Sequence, residues 1–514
     1  MSREAPGRPA PLRRVTTSGV VDDEALARIR APRQGIVAED DGRVGTYGAI
    51  GGPLDGYRRT LVVEPAGDGR HRVRQQVEYR LELPFWGLLF RFPLRRQMGR
   101  LQPPSRVPWW APPDRLDPRA AGTLAALCAL SVVIGYLGTI LTQTITFAAK
   151  EFGAGKGAQG VALAAVRADV AVALVLVAMA DRQGRRRVLL LSGVAGCALS
   201  ATGALAPSLW FLAGSQVASR GFVTAAGIVL TVAAAEEMPK GSRAYAVSLL
   251  AMAAALGAGL CVLLLRVADV AGGWRVLFAL SLLGLPVVRA VGRHLRESRR
   301  FEVPHSQAVM AGHGRRLWLL AASAFLFNLF FAPASQFGNE YLRTERGFSA
   351  GRISLFTILT ATPGAIGVVV GGRLAERGRR LVGAVALVVG VGATVLMFTS
   401  SGWPLWAWSV VGSVVGAATI PALGVYGPEL FPTSLRGRAN GSIAVLGRVG
   451  SVVGLIVAGQ VSGRFDRFGP AMALLALGPV ALAVLIVTRY PETAHTELED
   501  LNPEDAPTKP PNFE

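Results

Sequence analysis

Charge and cysteine are both scarce in this 514-residue chain. Only 17% of its residues are charged and three are cysteines, against 51% hydrophobic. A soluble chain carries nearer about a quarter charged residues, so an ordinary water-soluble body is excluded. Cys128, Cys197 and Cys261 all fall inside apolar runs and read as packing residues, which excludes a disulfide framework. The five histidines, His71, His294, His305, His313 and His495, stand outside those runs without metal-ligand spacing, so no metal centre is expected. No GxxxxGK[ST] phrase is present, which argues against an ATP-driven pump, and the one GxGxxG match, Gly155–Gly160, precedes no βαβ unit. Nothing pairs a nucleophile with a base. Neither an enzyme nor a resident cofactor is expected.

What is present is apolar sequence in long blocks. Twelve runs approach the length of about 20 helical residues that crosses a bilayer. They are Ala120–Ala149, Gly160–Ala180, Val188–Ala206, Leu209–Ala235, Ala244–Leu265, Val276–Val291, Leu317–Phe337, Ile353–Val370, Leu381–Thr399, Pro404–Tyr426, Ser442–Val461 and Pro470–Thr488. In lipid such runs satisfy their backbone polar groups as helices.

The net charge of +20 is distributed as a topology signal. Arginines collect in alternate loops: Arg182 with Arg185–Arg187, then Arg293–Arg316, then Arg373–Arg380. The opposite loops at Pro207-Ser208 and Ser400–Trp403 carry no charge. The positive-inside rule puts the arginine-rich loops and both termini in the cytoplasm of a cell with a plasma (bacterial inner) membrane. The expected partners are the lipid bilayer, a small-molecule substrate and protons, for a monomer; nucleic acid is not one.

Three phrases occur twice. Asp181-Arg182-Gln183-Gly184-Arg185-Arg186 returns as Glu376-Arg377-Gly378-Arg379-Arg380. Glu236…Pro239…Arg243 returns as Glu429…Pro432…Arg436, and Glu297-Ser298 returns as Glu492-Thr493. The leading acids lie 195, 193 and 195 positions apart, so one half of the chain repeats the other. Duplicated membrane bodies of this kind are typical of secondary transporters.

The expected organisation is an N-terminal region over 1–115, a six-helix half over 116–292, a connecting loop over 293–316, a second half over 317–489 and a tail over 490–514. In the first region Tyr57–Glu64 and Val73–Leu83 alternate across Gly67-Asp68-Gly69, the pattern of a β-hairpin. Pro84–Met98 mixes Phe85, Trp86, Leu88, Leu89, Phe90 and Phe92 with Arg91, Arg95 and Arg96. Two readings stand there: an amphipathic segment on the inner membrane surface, or a small core helix. The acidic, Pro-containing tail reads as disordered.

The duplicated Asp-Arg-x-Gly-Arg-Arg loop, between runs 2 and 3 and between runs 8 and 9, resembles the signature loop of the major facilitator superfamily. With Pro428-Glu429-Leu430-Phe431-Pro432, Arg296-Glu297-Ser298 and Pro491-Glu492-Thr493, the chain is similar to that family's sugar-porter and metabolite–proton symporter branches over residues 119–501. The resemblance implies an all-α membrane protein of twelve transmembrane helices in two pseudo-symmetric six-helix halves. It also implies a cytoplasmic gate made by Asp181, Arg182, Gly184, Arg185, Glu236, Arg243, Glu376, Arg377, Gly378, Glu429 and Arg436. Read without it, these charges are solvated topology determinants, whose exposed pairs contribute about 0–1 kcal/mol each. The chain departs from the family pattern in Val177 and Met179, where Gly and Leu are usual, in Glu376 for Asp, and in Leu137, where many relatives carry an acid used for proton coupling.

Charges inside the runs are costly in hydrocarbon and point to the transport site. Asp169 lies 12 residues from Asp181, about 18 Å along a helix and so near mid-depth. Arg167 is on the same helix, Arg220 is 16 residues from Glu236, and Arg448 is 12 from Arg436. Asp169 is the proton-coupling candidate. Arg167, Arg220, Arg448, Gln143, Asn328, Gln336 and Asn339 are the substrate-cavity candidates. Arg220 and Arg448 also admit a plainer role, bracing helices through backbone carbonyls. The reading is a secondary transporter moving a small organic solute, an organic anion or sugar-like metabolite, by alternating access with proton coupling. The rivals are a drug or metabolite exporter and a non-transporting membrane sensor.

Overall fold

Two bodies divide the chain, Met1–Leu127 and Cys128–Glu514. The structure is a computed structural model. It describes residues 11–40, 45–81, 83–102, 107–108, 110–154, 165–166, 168–264, 267, 270–298, 310–348, 350–465 and 467–505.

The first body is built on a five-stranded antiparallel sheet. Its strands are β1 (Arg13–Asp22), β2 (Ala38–Glu39), β3 (Thr46–Gly51), β4 (Leu54–Gly67) and β5 (Arg70–Leu81), in the order β1-β5-β4-β3-β2. The expected hairpin is its centre: β4 and β5 pair from Leu54↔Leu81 to Gly67↔Arg70. The two turn residues Asp68 and Gly69 both have positive φ, 50° and 67°, matching the twist of the flanking strands. Helix α1 (Asp23–Arg30) is capped by the Asp22 carboxylate, which accepts from the Ala25 N–H. Helix α2 (Gly87–Met98) buries Leu94 and Met98 against Val77 and Tyr79. The sequence reading found two of these strands and missed the rest, because β1 alternates exposed polar and half-buried residues with little apolar signal.

Polar groups sit within this small core. Arg59 and Glu39 are fully buried and pair, with the Tyr57 hydroxyl donating to the same carboxylate at 2.5 Å. Arg33 donates to Gln75 Oε1 at 2.7 Å and to the Arg100 carbonyl at 2.6 Å. Burial, with Glu39 beside it, pushes the Tyr57 phenol well above its usual range. Burial draws the Arg33 guanidinium down.

The membrane body starts in α3 (Pro118–Glu151) and continues with α4 (Asp169–Gln183), α5 (Arg185–Ala201), α6 (Leu209–Glu237) and α7 (Arg243–Leu264). Then come α8 (Gly273–Leu280), α9 (Gly284–His294), α10 (Gly314–Thr344), α11 (Ala350–Ala361), α12 (Gly364–Ala375) and α13 (Arg379–Thr399). The last are α14 (Trp403–Ala417), α15 (Thr419–Gly424), α16 (Tyr426–Glu429), α17 (Arg436–Phe465), α18 (Phe468–Leu475), α19 (Leu477–Arg489) and the tail helix α20 (Leu498–Leu501). Eleven helical spans among the described residues are long and apolar enough to cross a membrane. The remaining run, Gly160–Ala180, is represented by α4, since residues 160–164 and Arg167 lie outside the described residues. Four spans are broken, three of them into two α-helices and Trp403–Glu429 into three, with Pro286, Pro363, Pro421 and Pro479 at the start of the second helix. Proline cannot donate the backbone hydrogen bond that would carry the first segment through.

The tail corrects one expectation. Residues 490–505 are ordered by specific contacts: the Asn502 amide donates to the Glu429 carbonyl at 2.7 Å, and Arg316 donates to Leu501 and Asn502. Composition alone suggested disorder because these residues find their partners only far away in the sequence.

Candidate functional site

The duplicated phrases converge at the arginine-rich end as two mirrored networks. In the first half, Arg185 pairs with Glu236 at 3.1 Å, and Glu236 pairs across the halves with Arg436 at 3.1 Å. In the second, Arg379 pairs with Glu429, and Glu429 pairs across the halves with Arg243 at 3.4 Å. All six side chains are essentially inaccessible to water. The reading as solvated topology charges is therefore wrong for these residues; each carboxylate is sealed between two guanidinium groups.

Further acids join each network. Asp181 accepts the backbone N–H groups of Gly437 and Arg438 at 3.0 and 2.8 Å, at the N-terminus of α17. There the exposed amides and the helix dipole favour an anion. Glu376 accepts the Ala244 N–H, at the N-terminus of α7, at 2.7 Å. Glu297 then accepts the N–H groups of Arg185 and Arg186, as Glu492 does those of Arg379 and Arg380. Asp181 and Glu376 lie just beyond their apolar runs. Burial pushes the Asp181 carboxyl up to about 6, against the opposing pull of Arg185 and the two amides. Burial raises Glu376 as well, opposed by Arg379.

Steric fit explains one departure from the family loop. Gly437 and Gly441 face α4, and a Cβ on Gly437 would lie 2.7 Å from Asp181 Oδ1 and 2.9 Å from Val177. The small residues sit on the opposite helix, so Val177 is accommodated. Gly184, at φ 99°, makes the sharp turn between α4 and α5. Gly378 is extended at φ 175° and has no such demand. Arg182 and Arg377 are exposed and stand outside the sealed networks.

Asp169, the first residue of α4, is fully buried. Its Oδ2 accepts from Thr224 at 2.9 Å and from Arg448 at 3.3 Å, with Arg220 Nε 3.9 Å away. Its Oδ1 has no hydrogen-bond partner among the described residues. The two arginine side chains remain 22% and 29% accessible beside the inaccessible carboxylate. Arg220 also donates to the Gly138 carbonyl on α3 at 3.0 Å, so it braces a helix and faces Asp169 at once. Leu137, in place of the family's acid, is buried. Asn328 lies against α17: its Oδ1 accepts from Ser451 at 3.4 Å, and its amide nitrogen is 3.0 Å from where a Cβ on Gly447 would sit. Gln143 is half-buried on α3. Arg167 and the side chains of Gln336 and Asn339 lie outside the described residues.

The sequence profile of the Major Facilitator Superfamily matches residues 124–349 and 317–512. The chain belongs to this superfamily. The proton:xylose symporter XylE, solved with 6-bromo-6-deoxy-D-glucose, is similar over 74% of this chain and 98% of its own, at 17% identity and a TM-score of 0.62. The human organic anion transporter MFSD10 is similar over 71% and 98%, at 16% identity and a TM-score of 0.60. The E. coli fucose:proton symporter FucP gives 72% and 98%, at 15% identity and a TM-score of 0.57. In sequence, the putative niacin/nicotinamide transporter NiaP of Bacillus subtilis is 30% identical over 74 residues, 14% of this chain and 18% of that relative's length. As a major facilitator protein the chain is a multi-pass integral membrane protein with the fold of a transporter of small solutes.

Sequence reasoning missed five participants of these sites. Thr224 lies one helical turn from Arg220, and Arg379 is the repeat mate of Arg185; both positions were open to inference. Glu297 and Glu492 had been seen only as repeat markers. Asp505, which pairs with Arg436 at 2.7 Å, gave no local signal.

Proposed function

We propose that this major facilitator protein is a proton-coupled symporter of a small organic anion, with Asp169 as the proton carrier and Arg448 and Arg220 as the anion-binding groups. The observation that carries the reading is a buried carboxylate held between arginines from both halves, with one oxygen unpartnered among the described residues. When Asp169 is ionised it occupies both guanidinium groups. A proton on Asp169 weakens its hold and leaves Arg448 and Arg220 to an incoming carboxylate. One proton and one anion therefore enter together. Two arginines against one acid leave the site cationic, which favours an anionic over a neutral solute.

Alternating access follows from the sealed networks. The structure has the arginine-rich end closed, and moving the halves apart must separate Glu236 from Arg436 and Glu429 from Arg243. With the arginine-rich loops in the cytoplasm, this is an inward-closed state and both termini are cytoplasmic. The names of several relatives, proton symporters and an organic anion transporter among them, support the reading. A sensor role has one observation in its favour, the folded N-terminal body, which solute transport does not need.

Uptake into proteoliposomes tests the proposal. An imposed inward proton gradient should accumulate small carboxylates such as nicotinate, and neutral pentoses should not compete. Accumulation of the pentose with no effect of the carboxylate would overturn the substrate class. Binding of the solute without accumulation would favour the sensor.

A further inference from the structure

We infer that α2 is a membrane-surface helix whose outer face docks on the anionic phospholipid of the leaflet at which α3 begins. The helix has two faces of opposite use. Leu94 and Met98 close the core of the N-terminal sheet. On the other side Leu88, Leu89 and Phe92 are 81%, 66% and 73% exposed, large apolar side chains with no protein cover. Arg91, Arg95 and Arg96 are exposed on the same side. Such a helix, with its exposed apolar side chains toward the N-terminal end and its arginines toward the C-terminal end, matches an interface that offers both acyl chains and phosphates.

Its position argues for the bilayer as occupant. The Trp86 indole, immediately before α2, donates to the Ala125 carbonyl at 3.0 Å within the same compact unit. Ala125 is seven residues into α3, the first membrane helix, which begins at Pro118. That is about 10 Å along a helix axis from the start of the span, a distance similar to the roughly 5–10 Å over which interfacial helices bury their apolar faces. Phe90 packs on Trp110, with ring centroids 5.8 Å apart, adding a second aromatic near the same boundary. The two readings of this segment are thus both served, one by each face.

The test uses the full chain in nanodiscs, with buried Cys128, Cys197 and Cys261 replaced by serine and a single cysteine placed at position 88, 92 or 68. An environment-sensitive fluorophore on each is exposed to lipids spin-labelled high on the acyl chain. Labels from L88C and F92C should be quenched roughly threefold more than D68C, whose side chain lies at a hairpin turn of the sheet. Replacing phosphatidylglycerol by phosphatidylcholine, or Arg91, Arg95 and Arg96 by glutamine, should reduce the difference. Hydrogen exchange in β4 and β5 checks that the fold is intact, and the substituted side chains are exposed. Equal quenching at all three positions would overturn the inference. Excimer formation between pyrene labels at position 88 would also overturn it, by assigning the face to a second copy.

Discussion

Replacing Glu236 by Gln keeps the shape of the side chain and its hydrogen bond with Ser298, and removes the charge shared by Arg185 and Arg436. Stripping one partner from a buried ion pair costs about 3–5 kcal/mol. Asp181 remains 3.3 Å from Arg185 and Asp505 remains 2.7 Å from Arg436, so the lower end, about 3 kcal/mol, is the appropriate figure. That penalty applies where the arginines are sealed and is relieved when the halves part and water enters. The closed state should therefore lose roughly a hundredfold in population relative to the open state, at about 1.4 kcal/mol per tenfold. Spin labels at Arg187 on α5 and Arg489 on α19, both exposed, would report the change by double electron–electron resonance. The expected result is a shift of the main distance to longer values. The double variant with Arg436→Met should lose less than the sum of the two single changes, because they share one interaction. An unchanged distance distribution in Glu236→Gln would refute the assignment of this network to the gate.

The closed state holds a proton on Asp181 with an affinity near pH 6, whereas a solvated aspartate titrates near about 3.9. The raised value makes closure more favourable as pH falls: the gain is complete below about 4 and lost as pH rises through about 6. The same spin labels should show this trend, and Asp181→Asn should flatten it. Gly437→Leu places bulk where a Cβ already meets Asp181 and Val177, so it should hold the arginine-rich end apart and make a cysteine at Leu174 more reactive to water-soluble reagents. In the N-terminal body, Arg59→Ala leaves Glu39 buried without its partner. It should destabilise that body by about 3–5 kcal/mol, read as faster hydrogen exchange in β4 and β5, with transport retained if the membrane body folds independently.

The sealed ion-pair networks were legible in the sequence because their residues are written twice. A near-constant offset between Asp181 and Glu376, Glu236 and Glu429, and Glu297 and Glu492 identifies the equivalent positions before any contact is known. What periodicity does not supply is the crossing of the pairs: that Glu236 meets Arg436 and Glu429 meets Arg243 depends on the packing of α4 against α17 and α7 against α12. Asp169 stood out because a carboxylate at mid-depth is costly. Thr224 did not, since a threonine in a helix satisfies itself on a nearby carbonyl as often as it serves a site. The N-terminal sheet was only partly visible, because β1 alternates exposed and half-buried residues with little apolar signal and β2 is a two-residue strand that buries the charged Glu39. The tail was misread for a related reason: Asp505 and Asn502 have no nearby sequence partner and find one only through the fold.

Proton-driven uptake and counterflow exchange by Asp169→Asn, measured side by side in proteoliposomes, test the central claim most directly. Asparagine fills the same space between Thr224 and Arg448 and cannot carry a proton. Uptake driven by a pH gradient should be abolished, while exchange of labelled for unlabelled solute, which needs no net proton movement, should remain measurable. Proton-driven accumulation that survives the substitution unchanged would contradict the account and remove Asp169 from the coupling step.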